Sequence, residues 1–231
     1  GTARVAGLAA PVAITRDATK LADLSRNGIE VREASFDNPA SLASAFAGVD
    51  RLLIVSTDSL AARTVQQVAA VDAAIAAGVG HLLYTSVPSP YPDPTGLVPD
   101  SHFWTEIRIA AKAPGFSILR NNMYTDYLIP AAQHAISTGT LFHAAENGRR
   151  AFVTREDCAA AAAGALLAAE GKHIYDISGP EALSGDDVAA IIEEGSLAWR
   201  AGIRWLARGP SSTRRAAYAC RACLSAVGEA R

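Results

Sequence analysis

Ile118-Leu119-Arg120-Asn121-Asn122-Met123-Tyr124 joins an apolar run to two amides and a tyrosine. A carboxamide donates and accepts together, so paired amides at the end of a buried segment suit the ribose, amide and phosphate groups of a dinucleotide. Three other runs finish in the same manner: Val12-Ala13-Ile14-Thr15 meets Arg16, Leu52-Leu53-Ile54-Val55 meets Ser56-Thr57, and His81-Leu82-Leu83-Tyr84 meets Thr85-Ser86. Open parallel sheets bind ligands outside the carboxyl ends of their strands, so four polar tips imply one crevice. Arg16 stands where an acid would hold the 2'-hydroxyl of NAD and where an arginine accommodates the 2'-phosphate of NADP, although a surface arginine at a strand end would look the same. Gly1 could be the last glycine of a glycine-rich turn that brings backbone amides to a pyrophosphate.

Proton chemistry is less evident. A tyrosine followed four residues later by a lysine, the usual short-chain dehydrogenase dyad, does not occur from any of the six tyrosines. An acceptor that is already electrophilic, such as a quinone, needs little more than a well-placed nicotinamide hydride. His102, near the start of a helix, could donate a proton to a reduced acceptor, and a partly exposed histidine in a first helical turn fits equally. The other histidines form no metal-ligand spacing, and Cys220-x-x-Cys223 resembles a thiol pair with no strand before it.

The elements that must position these groups follow from periodicity. Apolar strands alternate with helical runs: residues 18–26 stopped by Asn27-Gly28, a helix after Asn38-Pro39, an alanine-rich run over 60–77 closed by Gly78, and residues 101–113. The connections suffice only for crossovers, which predicts an α/β, Rossmann-like doubly wound parallel sheet. A proline-rich loop, residues 88–99 with Tyr91, is long for a connector and is a candidate wall of the site. The expected organisation is a nucleotide domain over 1–123, a smaller substrate lobe over 124–194 and an arginine-rich tail over 195–231, with the first strand and most of a glycine-rich loop missing before Gly1. At 231 residues, 50% hydrophobic and net charge -2, with three cysteines and no apolar run of membrane length, the chain reads as a cytoplasmic protein partnering neither nucleic acid nor membrane.

With these residues placed, the chain resembles the NmrA-like, atypical short-chain dehydrogenases, especially bacterial NADPH-dependent quinone reductases and triphenylmethane dye reductases. The likeness runs from about Pro11 to Glu194. It rests most specifically on Leu119-Arg120-Asn121-Asn122-Met123-Tyr124-Thr125-Asp126 and Val153-Thr154-Arg155-Glu156-Asp157, with Val12 to Asp17, Tyr84-Thr85-Ser86 and His102 with Thr105-Glu106 in support. The resemblance implies NADPH contacts from Arg16, Ser56, Thr57, Thr85, Ser86, Asn121 and Asn122, with Tyr91 and Tyr124 bordering a quinone or dye-like acceptor, and it allows a homodimer. Two rival readings remain: a non-catalytic NAD(P)-sensing regulator, and a truncated, inactive member whose tail is a shifted reading frame.

Overall fold

The computed structural model describes residues 11–95, 98–142 and 148–200, with side chains described up to residue 195. Gly1 and the Cys220, Cys223 pair lie outside the described residues. Contacts divide the chain into two units: Gly1–Arg120 with Ala159–Asp176, and Asn121–Cys158 with Ile177–Arg231. Residues expected in the smaller lobe, from Ala159 to Asp176, thus belong with the first unit.

In that unit strand and helix alternate as the periodicity requires. The order is β1 (Val12–Thr15), a 3-10 turn (Ala18–Leu21), α1 (Ala22–Arg26), β2 (Glu30–Glu33), α2 (Pro39–Ala45), β3 (Arg51–Ile54), α3 (Arg63–Ala76), β4 (His81–Ser86), α4 (Val98–Lys112) and β5 (Gly115–Asn121). After α5 (Leu128–Thr138) and α6 (Arg155–Ala168), β6 (Lys172–Ile177) joins the edge of β5; α7 (Gly185–Arg200) ends the described chain. β1 pairs with β2 in parallel, and β3, β4 and β5 are parallel neighbours in a second sheet ordered β3-β4-β5-β6. The parallel α/β architecture is therefore present, in two sheets among the described residues.

Leu82, Leu83 and Tyr84 in β4 and Ile118 and Leu119 in β5 are fully or almost fully buried. Such continuous burial is what a strand covered on both faces demands, and it explains why these runs show no alternation. Helix α2 opens with Pro39 at its first position, but the Asn38 side chain makes no cap; Ser41 Oγ instead donates to the Asn38 carbonyl at 2.7 Å. Gly78, at φ +83°, ends α3 in the left-handed conformation that a β-carbon would strain.

Two arginines tie strands to helix ends. Arg51, at the start of β3, donates to the carbonyls of Leu166, Ala165 and Ala169 at 2.6, 3.1 and 2.5 Å. Arg32 in β2 donates to the carbonyls of Ala45 and Ala47, both at 2.8 Å. The last carbonyls of a helix have no internal donors and carry its negative dipole end, so a guanidinium there satisfies both. The grip of Arg51 on the end of α6 and the place of β6 beside β5 together associate residues 159–176 with the first unit. Replacing Arg51 with Met should lower stability by about 2 kcal/mol, read as a reduced urea midpoint with an unchanged slope.

Candidate functional site

Helix α3 buries Arg63, Gln66, Gln67, Ala70, Val71 and Ala74. That is one stripe at helical spacing, but its first three members are polar and its last three are small and apolar. Helix α4 repeats the arrangement, burying Ser101, His102, Thr105 and Glu106 before Ile109. The two helices pack on one another. Each follows a strand of a parallel sheet, so its amino-terminal half lies at the strand tips. Polar groups are thus buried where a ligand would bind, and apolar groups where the core lies.

Gln67 is at the centre, with 0% exposure. The Thr57 backbone N–H donates to its Oε1 at 3.2 Å, and its Nε2 donates to Tyr84 Oη at 2.9 Å and to Thr105 Oγ1 at 3.0 Å. His102 Nδ1 lies 2.7 Å from Tyr84 Oη. Burial, with the nearby Arg63 charge acting in the same direction, holds the His102 pKa down at about 4. Burial raises that of Tyr84 above the ordinary phenol range. Both side chains are therefore neutral at neutral pH.

The tip of β3 is held from two sides. Arg63 Nε donates to the Thr57 carbonyl at 2.6 Å, and Thr57 Oγ1 donates to Gln66 Oε1 at 3.1 Å. Arg63 Nη1 is buried with no partner among the described residues. Across to β4, Ser56 N–H donates to Thr85 Oγ1 at 2.9 Å, and Thr85 Oγ1 donates to Ser56 Oγ at 3.3 Å. Ser86 Oγ donates to Glu106 Oε1 at 2.6 Å. Glu106 in turn takes a two-pronged contact from Arg120, Nε at 3.1 Å and Nη2 at 2.6 Å. Thr57 and His102 share the Gln67–Tyr84 network, Ser56 and Thr85 are bonded to each other, and Ser86 is bonded to Glu106.

Arg16 stands apart, exposed just beyond β1 and in no hydrogen bond or ion pair among the described residues. Asp17 is committed to Thr19, accepting from its N–H at 3.0 Å and its hydroxyl at 2.5 Å. Tyr91 is 55% exposed in the proline-rich loop, shortly after Ser89 with its positive φ of 46°.

In the second unit, Asn121 ends β5 and its Nδ2 donates to Tyr124 Oη at 3.1 Å, while its Oδ1 is buried without a partner among the described residues. Asn122 N–H donates to the Ile177 carbonyl at 2.9 Å. The Arg155 guanidinium lies over the rings of Tyr124 and Tyr127 at 5.3 and 5.6 Å. Cys158 is buried, its thiol pushed up to about 11, which makes it inert.

Residues 5–169 match the family described as NAD(P)H-binding. The chain belongs to that family. It is 37% identical over 181 residues to quinone oxidoreductase 2 of Escherichia coli (strain K12), a match covering 78% of this chain and 63% of that protein. Among solved structures it is similar to the E. coli NADPH-dependent quinone oxidoreductase complexed with NADPH: TM-score 0.74, 35% identity, 80% of this chain and 65% of the other. The Citrobacter sp. triphenylmethane reductase has a TM-score of 0.72 at 32% identity, covering 80% of this chain and 66% of the other. The chain thus spans somewhat less than two thirds of these relatives' lengths.

Arg63, Gln66 and Gln67 are absent from the expected site. Their phase with Ala70, Val71 and Ala74 was the signal available in sequence. The low pKa of His102 has a consequence for acid stability. Unfolded, it takes a proton near 6.5, whereas in the fold it resists charging until about 4. Between those values the unfolded chain binds more protons, so stability falls as pH drops through the window, by about 3 kcal/mol at its foot. His81, lowered chiefly by burial, adds in the same direction. Denaturation at pH 7 and pH 4.5 should therefore show a smaller loss on acidification in His102→Asn than in the unaltered chain.

Proposed function

We propose that the protein is an NADPH-dependent reductase that delivers hydride to a quinone or similar planar acceptor. The observation that carries this reading is the set of directed hydroxyls at the β3 and β4 tips, built on a chain of the NAD(P)H-binding family. Ser86 spends its one hydrogen on the Glu106 carboxylate, so it offers a ligand only lone pairs. Ser56 Oγ accepts from Thr85 and keeps its own hydrogen available. The free Ser56 hydrogen suits an acceptor on the cofactor, such as the carboxamide carbonyl.

Arg16 supplies the other end. An exposed guanidinium without a partner among the described residues, beside an aspartate already occupied by Thr19, favours a 2'-phosphate over a free 2'-hydroxyl. Bound NADPH would supply two electrons with one hydrogen. The protein's own part is orientation and exclusion of water, for the buried side chains add no charged acid: His102 is neutral and Tyr84 keeps its proton. Tyr91, exposed in the loop after β4, is proposed to border the acceptor.

The experiment is NADPH oxidation by the purified protein with a simple naphthoquinone, together with titration of NADPH and NADH. Turnover supports the reductase; tight binding without turnover moves the reading to a nucleotide sensor. Arg16→Ala should weaken NADPH roughly tenfold and leave NADH within a factor of two. Equal losses for both nucleotides would remove Arg16 from the phosphate role.

A further inference from the structure

We propose that Gln67 is a positioning residue: acting through Tyr84, it fixes which ring nitrogen of His102 carries the proton, and leaves Nε2–H as a hydrogen-bond donor to the acceptor oxygen. Only the naming of that oxygen rests on the reductase reading; the proton arrangement stands on the geometry.

Each link has a forced direction. A backbone N–H can only donate, so the Thr57 contact at 3.2 Å makes the facing Gln67 atom the carbonyl oxygen. The amide nitrogen must then face Tyr84 Oη and Thr105 Oγ1, at 2.9 and 3.0 Å. Thr105 gives its hydrogen to the Ser101 carbonyl at 2.7 Å. Tyr84 already accepts from Gln67 and has one hydrogen to place. Thr105 Oγ1 also adjoins that hydroxyl, but the short contact with hydrogen-bond geometry is to His102 Nδ1, at 2.7 Å, and the hydrogen is assigned there. Nδ1 is therefore bare, and a neutral imidazole with a bare Nδ1 carries its hydrogen on Nε2.

Nε2 has no hydrogen-bond partner among the described residues, and His102 retains 3% exposure. This alters the role expected from sequence. A neutral imidazole is too weak an acid to hand over its Nε2 proton. It can still donate a strong hydrogen bond while the proton stays in place. When hydride from NADPH enters the acceptor, two electrons and one hydrogen are added and one acceptor oxygen becomes an anion. Nε2–H stabilises that oxygen, and water supplies the proton that completes the reduced product. Burial, with the Arg63 guanidinium acting in the same direction, keeps His102 in the neutral form.

The test begins with the cofactor-free protein, uniformly labelled with 15N, and long-range 15N–1H correlation of the histidine rings at neutral pH, with His102 assigned by His102→Asn. The expected pattern for His102 is a pyridine-like Nδ1 and a protonated Nε2. In Gln67→Leu, Tyr84 Oη loses its fixed donor, and the pattern should change to a mixture of tautomers. Turnover of the quinone should fall at least tenfold with KM for NADPH unchanged. Tyr84→Phe, which keeps the ring and removes the hydroxyl, should cause the same tautomer change and serves if Gln67→Leu does not fold. A protonated Nδ1 in the unaltered protein, or an unchanged pattern in both variants, overturns the proposal. The expected tautomers without quinone turnover would support the relay and count against the reductase alone.

Discussion

The carboxamide of Gln67, fully buried between two strand tips and a neighbouring helix, is the contact on which this site depends. Both its oxygen and its nitrogen are used, so it converts the direction of one backbone N–H into the direction of a tyrosine hydroxyl. A buried amide left half-satisfied would cost about 1–3 kcal/mol, and this one is retained because its contacts are met. Its position in the second turn of α3 follows from the stripe that continues as Ala70, Val71 and Ala74. The same helical phase that fills the core also delivers the polar group to the ligand end.

This division of helix faces connects the fold to its chemistry. In α3 and α4 the buried stripe is polar where the helix leaves the strand tips and apolar further along. Glu106 belongs to the same pattern. Burying its carboxylate alone would be prohibitive, but Arg120 from β5 grips both oxygens and Ser86 donates to one. The ion pair thereby fixes the Ser86 hydroxyl as an acceptor for whatever it meets. At the opposite ends of the strands, charged and polar groups serve structure: Arg51 caps α6, and His81 Nε2 holds the Ser117 hydroxyl at 3.0 Å.

Much of the architecture was legible because buried parallel strands are unbroken apolar runs and their crossovers are long. Ser56, Thr57, Thr85 and Ser86 could be found as the points where such runs stop. Gln67 and Arg63 could not be found by asking which residues are polar, since a polar side chain on a helix is ordinarily assigned to solvent. Only the phase of the stripe reveals them. His102 was found, but its chemistry was not: its neutrality comes from burial and from Arg63, thirty-nine positions away in the chain. The division of the chain also escaped, because residues 159–176 are attached by the pairing of β6 with β5 and by one arginine side chain reaching three distant carbonyls.

The central claim is that the β3 and β4 tips are a prearranged seat for a reduced pyridine nucleotide. Amide hydrogen exchange of the protein with and without NADPH, resolved by peptide, measures this most directly. The account predicts added protection at residues 55–58 and 85–87 and at the turn around Arg16, with the amino ends of β3, β4 and β5 unchanged. Protection confined to those amino ends, or none at saturating NADPH, would contradict it.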